Sequence, residues 1–97
     1  MYQTPLHVAA NYGQIAAVEV LLEHGACCDS RDEYGDTPLM VACASSSSEV
    51  DDAAALAEIF LAGGADAIAT NGVGESALHC AAWRGNEDAV RLLLTTH

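Results

Sequence analysis

Thr4-Pro5-Leu6-His7-Val8-Ala9-Ala10 is answered later in the chain by Thr37-Pro38-Leu39-Met40-Val41-Ala42-Cys43 and again by Ser76-Ala77-Leu78-His79-Cys80-Ala81-Ala82. The step from Thr37 to Ser76 is six positions longer than the step from Thr4 to Thr37. A second landmark keeps the longer step, since Gly25-Ala26-Cys27 matches Gly64-Ala65-Asp66. The six extra residues therefore fall within 44–52, where Ser45-Ser46-Ser47-Ser48 stands. Self-similarity at such a period marks an architecture of stacked supersecondary units. The units run over about 1–31, 32–70 and 71–97.

Each unit reads locally as a turn followed by two helices. Thr4 and Thr37 suit the helix N-cap, where the hydroxyl accepts from an amide that has no helical partner. Pro5 and Pro38 follow at the first helical position, which needs no amide hydrogen; in the third unit Ser76 keeps the cap and Ala77 replaces the proline. First helices are expected over Pro5–Tyr12, Pro38–Ala44 and Ala77–Trp83, with Gly13 and Gly85 as stops. Second helices are expected over Ile15–His24, Glu49–Ala62 and Glu87–Thr95. Ile15, Val18, Leu21 and Leu22 recur at helical spacing, and Val20, Ile59 and Leu92 add a second apolar side. A helix apolar on two sides needs two neighbours, which stacking supplies. Asp29–Asp36 and Ile68–Glu75 are rich in turn formers and should project as hairpin-like fingers.

Composition narrows function. Fourteen acidic residues stand against three arginines and no lysine, for a formal net charge of −11. The middle unit carries −8 of it, against −2 and −1 in the first and third. Nucleic acid and anionic membrane both need clustered basic residues, so neither is an expected partner. Met1–Val18 lacks a basic start and is interrupted by polar residues, so neither a secretory leader nor a membrane span is expected there. Cys27, Cys28, Cys43 and Cys80 form no Cys-x-x-Cys pair and read as reduced thiols of an intracellular protein, cytoplasmic or nuclear.

The Thr-Pro-Leu-His motif followed by x-Ala-Ala, in units of a turn and two helices, resembles the ankyrin repeat family across essentially the whole chain. The resemblance implies an all-α helical solenoid of three repeats. It departs from the family pattern at Met40 for the motif His, Ala77 for the Pro, and Cys27-Cys28-Asp29 for the usual Asp-Val-Asn. It implies that His7 and His79 bond the preceding hydroxyl and nearby backbone, as structural and not catalytic or metal-binding groups. The chain also reads as a piece of a longer array. Its Leu92, Leu93 and Leu94 have no capping unit, which predicts marginal stability or self-association through the last repeat.

No Gly-rich phosphate loop, nucleophile elbow or carboxylate pair is present, so no catalytic residue, cofactor or metal ligand is expected. Cys43 and Cys80 read as small buried residues, and Cys27 as exposed. The serine run with Glu49, Asp51 and Asp52 reads as a mobile loop whose last serine caps a lengthened second helix, or as a kinase target.

In the family, partners usually bind the concave face of finger turns and first helices. Carried over by motif position, this face holds Tyr12, Arg31, Glu33, Tyr34, Asp36, Val73, Glu75, Trp83 and Arg84, with Gln3, Asn11, Ala44 and Ser45 beside them. Three of the five aromatic residues fall there, and Tyr, Trp and Arg dominate binding hot spots. Binding of another protein is the expected function. The alternative is a structural stretch of solenoid that positions a neighbouring domain.

Overall fold

Hydroxyl caps and prolines start the first helices where the motif copies begin. The computed structural model describes residues 4–44 and 50–95, with 50–53 by backbone alone. Six helices follow in order: α1 (Pro5–Asn11), α2 (Ile15–Glu23), α3 (Pro38–Ala44), α4 (Val50–Ala62), α5 (Ala77–Arg84) and α6 (Glu87–Thr95). Among the described residues the only β pairing is an antiparallel bridge between Thr70 and Ser76. The chain is an all-α helical repeat solenoid, as the motif spacing predicts.

The caps are reciprocal. Thr4 Oγ1 accepts from the His7 backbone N–H at 3.3 Å, while the Thr4 N–H donates to Nδ1 of the His7 ring at 3.2 Å. The Thr4 hydroxyl, 2.8 Å from Nδ1, is placed to donate to the same lone pair. Ser76 and His79 repeat the pattern, at 3.1 Å from the amide and 2.9 Å from the hydroxyl. In the second unit Thr37 Oγ1 still accepts from the Met40 N–H at 3.3 Å, but Met40 has no ring to return a bond. Gly85 ends α5 in the left-handed region at φ +70°, and Asn86 then caps α6 by accepting from the Ala89 N–H at 3.1 Å.

The helices form two rows. α3 lies between α1 and α5, and α4 between α2 and α6. Ala9, Ala42 and Ala81 occupy one motif position and are buried, so the rows approach closely at small side chains. Phe60 is fully buried between them, alongside Leu39, Met40 and Leu56. The core residues recur at the repeat period because each unit hands its apolar face to the next.

Helix ends differ from expectation by one residue: Tyr12 and His24 are C-caps and Arg84 extends α5. The first residue of the expected α4, together with the serine run and its kinase or capping roles, lies outside the described residues. So do Gln3 and His97.

The two fingers are built alike. Asp32 Oδ1 accepts from the Tyr34 and Asp36 amides, both at 2.9 Å, and Asn71 Oδ1 accepts from those of Val73 and Glu75, both at 3.0 Å. A short polar side chain bonding its own backbone two residues on holds each turn. Between fingers, Gly72 N–H donates to Tyr34 O at 3.1 Å and Asn71 Nδ2 to the Asp36 carboxylate at 2.8 Å. A Cβ on Gly35 would lie 2.8 Å from Gly72 N, so this crossing requires glycine.

Candidate functional site

The face expected to receive a partner comprises the last positions of the first helices and the sides of the two fingers. Asn11, Ala44 and Trp83 occupy the same motif position in successive repeats and form a row. Tyr34 and Val73 stand at equivalent finger tips, and Asp36 and Glu75 at equivalent finger bases.

Two hollows lie along this face, one at each joint between repeats. The first, about 210 Å³, is lined by Asn11, Asp32, Tyr34, Asp36, Val41 and Ala44. The second, about 240 Å³, is lined by Ala44, Glu75, His79, Cys80 and Trp83. Each thus combines a carboxylate from a finger base with one exposed aromatic side chain, and Ala44 is the low wall between them. Trp83 is 86% exposed and Tyr34 68%, whereas Phe60 is buried completely. Large apolar side chains left in water on one face are the kind of feature that marks interaction surfaces.

The face is electronegative. Asp36 and Glu75 have the neutral amide of Asn71 as their side-chain neighbour, at 2.8 and 3.4 Å. Cys80 registers their field: its thiol is pushed up to about 11, first by burial, then by Asp36 and Glu75. Among the described residues the ion pair found is Arg91 with Glu87 on α6, at 3.2 Å, away from this face. Asp32 is buried with its carboxylate spent on the finger backbone, so it shapes the first hollow without being free to receive a partner.

The residues expected from sequence divide accordingly. Tyr34, Asp36, Glu75 and Trp83 line the two hollows. Tyr12, Glu33, Val73 and Arg84 are exposed but line neither. Arg31 lines neither hollow. Its guanidinium is drawn under the fingers, where Nη1 donates to Gly35 O at 3.0 Å and also to Thr70 O. His79 and Cys80, structural and core residues by their motif positions, both line the second hollow. Their spacing of four and three residues from Trp83 puts all three on one helical face, a signal present in the sequence.

The other hollows lie at the ends of the stack. A trough of about 740 Å³ runs between α1 and α2 over Val8, Ala16, Ala17 and Val20, with hardly any polar surface. At the other end about 270 Å³ opens between Ile68, Thr70, His79 and Leu93, and Leu94 is exposed. The trough offers no convergent polar groups, and at the other end Ser76 and His79 are bonded to each other in the cap of α5. Among the described residues no cluster of His, Cys, Asp and Glu could hold a metal ion, and no helix is long and apolar enough to cross a membrane.

Comparison with known proteins agrees with this architecture. A family model described as ankyrin repeats in three copies matches residues 1–58, and one described as ankyrin repeats in many copies matches 52–94. Inversin of Danio rerio is 35% identical over 92 residues, 95% of this chain and 8% of its own length. A Caenorhabditis elegans homolog of transient receptor potential cation channel subfamily A member 1 is 35% identical over 94 residues, 97% of this chain and 7% of its own. The E3 ubiquitin-protein ligase XBAT33 of Arabidopsis thaliana is 40% identical over 91 residues, 94% of this chain and 17% of its own. The chain therefore spans less than a fifth of each of these relatives.

Proposed function

Because the chain belongs to the ankyrin repeat family, whose repeats are generally non-enzymatic protein-interaction modules, we propose that it binds another protein through its concave face. The observation that carries this is the exposure of Tyr34 and Trp83 over two adjoining hollows, in a chain whose core is filled by aliphatic residues and one phenylalanine. Rigid aromatic side chains supply much contact area at low entropic cost. Tyr12, Glu33, Val73 and Arg84 form the rim of this surface in the proposal, and Arg31 supports it from beneath. An intracellular setting, cytoplasmic or nuclear, belongs to the same reading and is supported by four free thiols.

A photoreactive residue at position 34 or 83, compared with one at the exposed Glu58 of α4, tests the face directly. Partner crosslinks should form from 34 and 83 and not from 58. Tyr34→Ala and Trp83→Ala should each weaken the interaction by roughly 1–3 kcal/mol. A partner retained undiminished by both variants overturns the assignment.

The apolar trough over Val8, Ala17 and Val20 favours a second reading, in which the chain is a structural stretch of solenoid. Such a surface suits stacking at this end, as the last repeat with its exposed Leu94, where self-association is expected, does at the other. Val20→Lys should then suppress association seen by sedimentation at high concentration. A wild-type monomer under those conditions removes the self-association component.

A further inference from the structure

We infer that the partner segment received by the concave face is basic and extended, with two cationic side chains three residues apart, one for each hollow. This rests on the concave-face reading above and adds the chemistry of the ligand. The two hollows share one feature, a carboxylate at equivalent finger bases. Asp36 and Glu75 are equivalent finger-base carboxylates, and each shares its hollow with an aromatic side chain, Tyr34 of the same finger in the first and Trp83 from the end of α5 in the second, with Ala44 lining both. A guanidinium or ammonium group placed in either would meet a carboxylate and a π face together, and both attract cations.

Charge complementarity points the same way. The first hollow is lined by two carboxylates, Asp32 and Asp36, and the second by Glu75, and no arginine lines either. Arg31, the basic residue nearest the fingers, is engaged with backbone carbonyls. Arg84 is exposed beside Trp83 but lines neither hollow. Burial first, and then Asp36 and Glu75, push up the Cys80 thiol that lines the second hollow.

Spacing limits the shape of the ligand. Neighbouring packed helices lie about 8–10 Å apart, so the two hollows repeat at about that distance. An extended chain with three residues per turn and about 3.1 Å rise brings residues i and i+3 to the same side at about 9 Å. Acidic segments would be repelled, and purely apolar ones would desolvate both carboxylates with only the neutral Asn71 amide beside them.

The probe is a fluorescent peptide with two arginines three residues apart in a Pro/Gly frame, titrated against the full chain by anisotropy. Backbone amide shifts of residues 34, 75 and 83 are followed in parallel. Saturable binding is expected, about 10-fold weaker with glutamines in place of the arginines and weakened further by added salt. Asp36→Asn keeps the acceptor for Asn71 and Glu75→Gln keeps the side-chain length, so the fold survives; each should weaken binding about 3- to 10-fold, as should Trp83→Ala. Equal binding of arginine and glutamine peptides, still lost in Trp83→Ala, overturns the basic-segment inference and leaves the concave face standing. Arginine-peptide binding unchanged in all three variants places the attraction elsewhere on the acidic surface and overturns both. No binding of the arginine peptide, with partner crosslinking from position 83 intact, again removes only the inference.

Discussion

Nε2 of His7 lies 2.7 Å from the carbonyl oxygen of Asp36, 29 residues further along the chain. Because Nδ1 accepts from the Thr4 amide, the ring proton is on Nε2 and is donated to that carbonyl. One buried imidazole therefore closes a helix cap and ties the first repeat to the finger of the second. Its counterpart His79 makes the same cap bonds but is exposed, with no finger over it among the described residues.

His7→Ala should accordingly lower stability by roughly 2–4 kcal/mol, since it leaves a cavity and strands a cap amide and a carbonyl. His79→Ala should lower it by about 1 kcal/mol or less. Urea unfolding of the two variants checks the ratio; equal losses would mean that the link to Asp36 contributes little.

Gly35 sits at φ +80° with the backbone of Gly72 across the gap, whereas Gly64 at φ +97° has open space around it. Gly35→Ala should cost about 2–4 kcal/mol through strain and collision. Gly64→Ala should cost about 1–2 kcal/mol, through strain alone. Thermal unfolding of both separates the two contributions.

Arg31 is predicted to act on stability more than on affinity. Arg31→Ala removes charged donors from Gly35 O and Thr70 O and should cost about 1–2 kcal/mol. Arg31→Lys recovers the charge but not the planar fork, and should restore only part. Partner affinity measured well below the melting transition should change less than in Trp83→Ala.

The thiols make an ordered series. Cys27 is exposed and should react first with an alkylating reagent at pH 8, with Cys28 and Cys80 following. Cys43 is buried and should react last, because burial, with Cys80 beside it, pushes its thiol up to about 12. Its folded value lies above the ordinary 9.0, so the unfolded chain loses the proton first as pH rises. Stability should therefore hold below about pH 9 and fall between there and about pH 12. Cys43→Ala should flatten that decline, measured by denaturant midpoints across the range.

What the sequence determined by itself is the repeat and everything local to it. Motif copies beginning at Thr4, Thr37 and Ser76 marked out the units, and hydroxyl caps, prolines and glycines set helix limits to within a residue. These features act over three or four positions, so no distant contact is needed to read them. The exposure of Tyr34 and Trp83 was equally legible, through the family resemblance, from the finger-tip position that Tyr34 shares with Val73 and the helix-end position that Trp83 shares with Asn11 and Ala44. Tertiary structure alone decided how the repeats are joined. Met40 in the motif His position cannot offer the bond that His7 gives to Asp36, and the second joint instead uses Arg31 on Thr70, Asn71 on Asp36 and Gly72 on Tyr34. Those partners lie a full repeat apart in the chain, and stacking geometry, not local preference, brings them together. The same geometry turned Arg31 inward and set the finger-base carboxylates Asp36 and Glu75 each on a hollow with one aromatic side chain, since a hollow between repeats exists only after two units have been set side by side.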